Sequence, residues 1–220
     1  MPKVGIVLSG SGYLDGAEIQ ESVLTMLALD RAGAEMIYMA PDIDQLHVVN
    51  HQTGKEVEGA SRNVLVESAR ITRGNVHAIG TINSDDLDAL IFPGGFGVAK
   101  NLCDYAMVGA DCQVDPVIEN LAIKMHNAGK PIGVMCIAPA MMARILGNQG
   151  LKSDLTIGSD EGTANDINTM GGNHITCSVR EIVVDKENKV VSTPAYMEAQ
   201  CISEAADGIE KLVSEVLALI

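Results

Sequence analysis

The stretch Ile132-Gly-Val-Met-Cys136-Ile-Ala-Pro139-Ala-Met-Met142 decides the fold. Residues 132–135 are apolar without alternation, which suits a strand buried on both faces, as in a parallel sheet covered by helices. From Ile137 onward the residues suit a helix, with Pro139 in its first turn. Cys136 therefore sits at a strand-to-helix turn. In open α/β sheets such turns face the ligand, and the helix N-terminus supplies unpaired N–H groups and a partial positive charge. Such a place lowers a thiol pKa and can hold an oxyanion. The alternative for Cys136 is a small hydrophobe that ends a strand.

Working outward, Asp115-Pro116 opens a helix with apolar residues at 117, 118, 121, 122 and 125, which Gly129 and Pro131 end. Before it, Asp88–Phe92 reads as a strand that runs into Pro93-Gly94-Gly95. At the start of the chain, the apolar run Val4–Ser9 leads to a Gly cluster. Ile19, Val23, Leu24, Met26 and Leu27 then recur at helical spacing. Arg31-Ala32-Gly33 closes that helix, and Ala34–Ala40 is the next strand, giving a βαβ unit. Between Pro41 and Gly80 the segment Arg62–Arg70 is helical and Gly54–Ala60 a loop, which predicts an insertion packed on the sheet edge. Glu181–Val184 and Lys189–Ser192 flank Asp185-Lys-Glu-Asn188 as a β-hairpin, and a helix from about Glu198 to Leu219 ends the chain. The fold class is α/β, with one domain over residues 1–220.

Fifteen Lys and Arg against 29 Asp and Glu give a net charge of −14. That field repels phosphate backbones, so nucleic acid and anionic membrane surfaces are poor partners. Apolar runs such as Met36–Ala40 and Val134–Ala138 fall far short of the roughly 20 residues that cross a bilayer. The N-terminal residues enter a strand at once, and the expected compartment is the cytoplasm. Cys103, Cys112, Cys136, Cys177 and Cys201 are odd in number, widely spaced and without a C-x-x-C pair, which argues for reduced thiols and against a disulfide framework or a zinc site. Cys103 and Cys112 lie on an insertion-like stretch.

Two further elements reach the carboxyl edge of the sheet beside Cys136. Phe92-Pro93-Gly94-Gly95-Phe96-Gly97 ends a neighbouring strand, where glycines allow close backbone approach and a free N–H to meet a bound group. Asp15-Gly16-Ala17-Glu18-Ile19-Gln20-Glu21 opens the first helix, with Glu18 and Glu21 about one turn apart on one face. Asp15 followed by Glu18 reads as a capping box, the structural alternative for Glu18. Glu21 has only a dipole-favoured position to explain it otherwise, and could project toward Cys136 to hydrogen-bond the sulfur and shuttle a proton. His126 and His174 read as structural or solvent-facing.

Taken together, Leu8-Ser-Gly-Ser-Gly12, Asp15-Gly-Ala-Glu-Ile19 with Glu21, Ser61-Arg-Asn-Val-Leu65, Glu67-Ser-Ala-Arg-Ile71, Phe92-Pro-Gly-Gly-Phe-Gly97, Ala99-Lys-Asn-Leu102, Cys136-Ile-Ala-Pro139 and Thr193-Pro-Ala-Tyr196 carry a family resemblance over nearly the whole chain. The sequence resembles the PfpI/ThiJ superfamily, class I glutamine amidotransferase-like, and within it the ElbB-type glyoxalases. The resemblance implies a flavodoxin-like three-layer sandwich with a mostly parallel sheet and a nucleophile at Cys136. It aligns the acid with Glu21, Glu18 being the second candidate, and implies oxyanion or substrate-binding roles at Gly94, Gly95 and Ile137. It implies a homodimer by analogy.

The chain departs from the superfamily where Ile137, not His, follows the Cys. A glutaminase would show Gly-x-Cys-x-Gly and a later His-x-Glu, whereas Val134 and Ala138 flank Cys136 here and none of the five His begins His-x-Glu. The expected activity is a cofactor-free and metal-free conversion of glyoxal or methylglyoxal to glycolate or lactate through a Cys136 hemithioacetal. Action on dicarbonyl adducts of protein side chains is open beside it. So is a different class, a redox-responsive or partner-binding module built on Cys136.

Overall fold

The computed structural model describes Met1–Ile220. The chain begins β1 (Lys3–Val7), α1 (Ile19–Arg31), β2 (Glu35–Ala40), β3 (Val49–Asn50), β4 (Lys55–Glu56), α2 (Val64–Ile71) and β5 (His77–Ala78). It continues β6 (Ala89–Phe92), a π-helical turn at Val98–Leu102, α3 (Tyr105–Val108), α4 (Pro116–Asn127), β7 (Ile132–Met135) and α5 (Ala138–Asn148). It ends with β8 (Asp154–Leu155), α6 (Glu161–Thr169), β9 (Asn173–His174), β10 (Val183–Asp185), β11 (Val190–Thr193) and α7 (Ile202–Ala218).

Seven strands form one sheet in the order β10-β11-β7-β6-β1-β2-β5, parallel except for β10. β6, β7 and β1 are the uninterrupted apolar segments that the sequence marks as doubly covered. One helix layer holds α1 and α7, with Leu29, Ile209, Leu212, Val213 and Val216 in its core. The opposite layer holds α4, α5 and α6 over Leu90, Phe92, Ile118, Met125, Met141 and Ile145. This is the expected three-layer α/β sandwich. The chain proceeds from β1 outward through β2 to β5, then returns to β6 on the other side of β1. That reversal opens a crevice at the carboxyl ends of β1 and β6, the place where such sheets bind ligands.

Two local expectations need correction. The apolar residues that give α1 its period divide between its faces: Ile19, Val23 and Leu27 are exposed, Leu24 and Met26 are partly buried against the core, and Glu21, Ser22, Thr25 and Leu29 are buried. Ser22 and Thr25 satisfy their hydroxyls on the carbonyls of Glu18 and Glu21, at 2.7 and 2.8 Å, so small polar side chains can face the sheet unpenalised. Second, Asp15 does not cap α1; its buried carboxylate accepts the Val49 N–H at 2.6 Å. The insertion after Pro41 meets the sheet edge as expected, with β5 paired to β2 and α2 packed on β2, and it also includes the β3–β4 hairpin. It packs on the loop after β1, with the Leu46 N–H donated to Asn101 Oδ1 and Asn101 Nδ2 donated to the carbonyls of Ser9 and Asp15. It buttresses the crevice itself.

The last turn of α5 is fixed from the far side. A Cβ at Gly147 would overlap the carbonyl oxygen of Met170, which belongs to backbone and cannot swing away. Gly147→Ala is expected to cost about 2 kcal/mol or more, measured as a lower urea midpoint at unchanged slope. An unchanged midpoint would show that α5 and the segment after α6 slide freely.

Candidate active site

Cys136 follows the last residue of β7 in the left-handed backbone region, φ +59°. A non-glycine residue there costs on the order of 1–2 kcal/mol and persists only where the surroundings enforce it. Its own N–H is held by the Thr193 carbonyl at 3.1 Å, and Ile137 begins the cap of α5 immediately after. The turn throws the thiol back over the sheet edge, 8% exposed. The N–H groups of Gly95 and Ile137 both point at its sulfur.

Glu21, on the first turn of α1, is fully buried behind Cys136. Its carboxyl accepts the Gly94 N–H at 2.8 Å on Oε2 and the Tyr196 N–H at 3.0 Å on Oε1, and it hydrogen-bonds the Cys136 thiol. Burial lifts Glu21 from 4.5 to about 7, with the nearby charge of Glu18 adding to the effect and the Tyr196 and Gly94 N–H groups opposing it. Burial and the Glu21 charge push the Cys136 thiol well above its ordinary value, against the pull of the two N–H groups. The expectation of a lowered thiol pKa is thus reversed. The helix N-terminus acts on the thiol as foreseen, but desolvation and a carboxylate in contact outweigh it.

Glu18 occupies a different post. It is the N-cap of α1, where its Oε2 accepts the Glu21 N–H at 2.6 Å, and its side chain reaches the cavity. Partial burial raises it as well. The first helix thus presents both acids, one beneath the nucleophile and one at the rim. Gly94 does not offer a free donor, because its N–H goes to Glu21 and its carbonyl accepts the Glu18 N–H at 2.9 Å. What Gly94 supplies is space: a Cβ there would overlap the Cβ of Cys136 and lie 2.7 Å from Glu21 Oε2. Gly95, at φ +96°, turns its own N–H toward the sulfur.

A cavity of about 400 Å³ opens over Cys136. Tyr13, Phe96, Tyr105 and Tyr196 form much of its wall, four of only six aromatic residues in the chain, and Glu18 and Asp160 add acidic groups. Tyr13 stacks edge-on against His51 of the insertion, with ring centres 5.5 Å apart. Tyr105 is held by Asp166, its hydroxyl donating to Oδ2 at 2.7 Å. No histidine lines the cavity. His126 hydrogen-bonds Asn188, and His174 lies on the short strand β9, not in a loop, within reach of the Ile157 N–H. The aromatic wall and the Tyr196 N–H were not picked out from the sequence as site features. The scarcity of aromatics, together with the place of Tyr13 and Phe96 beside glycine turns and of Tyr196 just after Thr193-Pro194, was the available signal.

No protein-family model matches the chain. The human glutamine amidotransferase-like class 1 domain-containing protein 3, mitochondrial, is 43% identical across 99% of this chain and 83% of its own length. The zebrafish ES1 protein, mitochondrial, is 33% identical across 88% of this chain and 76% of its own. Among solved structures, an isoprenoid biosynthesis protein with amidotransferase-like domain from Ehrlichia chaffeensis is 37% identical, with a TM-score of 0.93 over 100% of this chain and 99% of that one. A DJ-1 superfamily protein from Salmonella typhimurium, 19% identical with a TM-score of 0.57, covers 99% of this chain and shares the fold.

The raised Glu21 pKa has a definite sign in stability. The folded state binds this proton more tightly than the unfolded chain, so the contribution is complete below about pH 4.5 and lost as pH rises through 7. The loss amounts to about 3 kcal/mol. Urea unfolding from pH 4.5 to 8 is expected to show a decline in the wild type that Glu21→Gln flattens by about that amount. Parallel curves for the two proteins would mean that Glu21 is solvated.

Proposed function

Because the chain belongs to the glutamine amidotransferase-like class 1 family that includes the ES1 proteins, we propose that it is a cofactor-independent glyoxalase of the ElbB type, acting through Cys136 and Glu21. The observation that carries this reading is the single hydrogen-bonded unit of Cys136, Glu21 and the N–H groups of Gly95 and Ile137 at the floor of a cavity. As the sulfur attacks the aldehyde carbon of glyoxal or methylglyoxal, the Glu21 carboxylate takes the thiol proton. The developing oxyanion lies beside the sulfur, within the field of the two N–H groups, and receives that proton to give a hemithioacetal. Glu21 then removes the hydrogen on the sulfur-bearing carbon and returns a proton to the neighbouring carbon, which passes through an enediolate to a thioester. Water cleaves the thioester to glycolate or lactate and frees the thiol.

A carboxyl group titrating near 7 suits a group that must act as base and acid in turn. The acids at the rim, Glu18 and Asp160, repel the carboxylate product and favour its departure. At about 400 Å³ the cavity holds more than a three-carbon dicarbonyl, which favours a second reading of the same site, action on dicarbonyl adducts of larger amines. The names of the animal relatives place them in mitochondria, whereas the sequence reading of this chain proposes the cytoplasm. Five unpaired cysteines fit either reducing compartment. No helix is long and apolar enough to cross a membrane.

Wild-type protein freed of metal and glutathione is expected to consume methylglyoxal, monitored as D- or L-lactate formed. Cys136→Ala should abolish turnover, Glu21→Gln should lower it about 10²–10⁴-fold, and Glu18→Gln should stay within a few-fold. A Glu21→Gln variant at full activity would transfer the acid role to Glu18, and an inactive wild type whose Cys136 oxidises selectively would replace the enzyme by a sensor. The outward stripe Ile19, Val23 and Leu27 supports a homodimer that covers it. Sedimentation at micromolar concentration is expected to give a dimer that Val23→Glu converts to monomer; a monomeric wild type would leave the stripe uncovered.

A further inference from the structure

Away from Cys136, two other thiols meet in the core. Cys103 and Cys112 are both buried and close enough to act on each other, the Cys103 S–H being donated to the Val98 carbonyl at 3.2 Å. Cys103 stands opposite Val114 in an antiparallel bridge, flanked by the Asp115 N–H donating to the Leu102 carbonyl at 2.8 Å and the Asp104 N–H donating to the Gln113 carbonyl at 3.2 Å. This ladder fixes the two ends of the segment, so Cys103 and Cys112 lie as diagonal neighbours on facing strands. Between them α3 and the turn Gly109–Asp111 contribute no buried residue. The segment is anchored by the Tyr105–Asp166 hydrogen bond and by the partly buried Tyr105 and Ala110, and releasing these few contacts uncovers Cys112.

The surroundings of Cys112 are those of a reactive thiol. The Nε of Arg144 is buried without a hydrogen-bond partner, and the Arg144 charge acts on Cys112. The contact with Cys103 and that cation draw the Cys112 thiol below its ordinary value, whereas the Cys103 thiol is pushed up by the same contact and by burial. The unpaired Arg144 guanidinium thus favours a thiolate at Cys112, while the Cys103 S–H is held by the Val98 carbonyl. The sulfur of Met170 lies 3.9 Å from Cys112 Sγ, and the Asp104 carboxylate opposes the Arg144 cation without cancelling it.

We propose that Cys112 and Cys103 form a reversible dithiol–disulfide couple oxidised by hydroperoxides, separate from the chemistry at Cys136. The Cys112 thiolate attacks one oxygen of the peroxide, breaking the O–O bond to give a sulfenic acid and releasing water or an alcohol once the leaving oxygen is protonated. The Cys103 sulfur, losing its proton, then attacks the sulfenic sulfur and expels water, leaving the disulfide. Two thiols and one hydroperoxide are consumed, and a dithiol reductant reverses the change. The bond closes the segment that carries Tyr105, which ties the couple to the cavity wall.

The tryptic peptide Asn101–Lys124 holds both cysteines with no Lys or Arg between them, so the test reads one mass. Native protein is treated with hydrogen peroxide, quenched, unfolded, alkylated and digested. The peptide is expected to lose about 2 Da and to take no alkyl label, with dithiothreitol restoring both labels. Cys136→Ala should behave identically, which separates this couple from the proposed enzyme. Cys103→Ser should stop at oxidised Cys112 without a disulfide. A wild-type peptide that remains doubly alkylated while Cys136 is oxidised would overturn the proposal, and so would a disulfide that joins either residue to Cys201 or Cys177 instead.

Discussion

The buried carboxyl of Glu21 is the constraint on which the site depends. Its two oxygens take N–H groups from two separate loops, Gly94 after β6 and Tyr196 after β11, and its third partner is the thiol at the end of β7. Three strand ends are therefore tied to one side chain of α1. A buried carboxyl group without partners would cost several kcal/mol, and with these partners it is held in place while keeping a pKa near neutrality. The same desolvation that lifts Glu21 also lifts Cys136. The pair keeps a proton between its members instead of forming a free thiolate. In the proposed reaction the thiol is activated by proton transfer to a base in contact with it, a different device from the electropositive pocket that its place at a helix N-terminus suggested.

Such an arrangement demands backbone shapes that ordinary segments do not adopt. Cys136 and Ala195, both non-glycine, sit at positive φ, and both adjoin the Glu21 contacts. Ala195 aims the next N–H, that of Tyr196, at the carboxyl; Cys136 aims its sulfur at the cavity. Gly94 and Gly95 do the complementary work from the other side, the first by having no side chain between Glu21 and the sulfur and the second by turning its N–H. The local strain is borne by the parallel sheet beneath, where Cys136 is pinned through the register of β7 with β11 and β6. Rigid scaffold and strained turn are two sides of one design, since a loop free to relax would lose the sulfur's position first.

The fold was legible because its central strands are apolar without alternation and end at Gly or Cys, a pattern that only a doubly covered parallel sheet satisfies. Ile132–Met135 and Ala89–Phe92 needed no tertiary information. The helix α1 was found from its period, but the period did not say which residues meet the sheet. Ser22 and Thr25 satisfy their hydroxyls locally, so a polar strip packs inward beside the partly buried Leu24 and Met26, and Ile19, Val23 and Leu27 are left outside. Within the site, Cys136 and the Gly94-Gly95 turn stood out by their positions at strand ends and Glu21 by its place in the first turn of α1, while the parts given to Gly95 and Ile137 came only from the family resemblance. The exchange of roles at Gly94, the capping duty of Glu18 and the engagement of Asp15 with the insertion were not foreseen, since each depends on a contact across the chain. Long-range hydrogen bonds have no period in a sequence.

The cavity gives one more clue to what the site prefers. An acidic chain with few aromatic residues has gathered four of them around one thiol and lined the cavity with two carboxylates, its lining residues including no cation although Lys100 Nζ stands 5.3 Å from the Phe96 ring centre. A wall of that kind disfavours anions by charge and welcomes neutral or cationic molecules, the latter by attraction to aromatic faces. For a reaction that begins with an uncharged carbonyl compound and ends in a carboxylate, the asymmetry works in the forward direction: substrate enters without an electrostatic penalty, and the product acquires one as it forms. The charge pattern at the rim and the proton-sharing pair at the floor therefore favour the same class of chemistry for separate physical reasons.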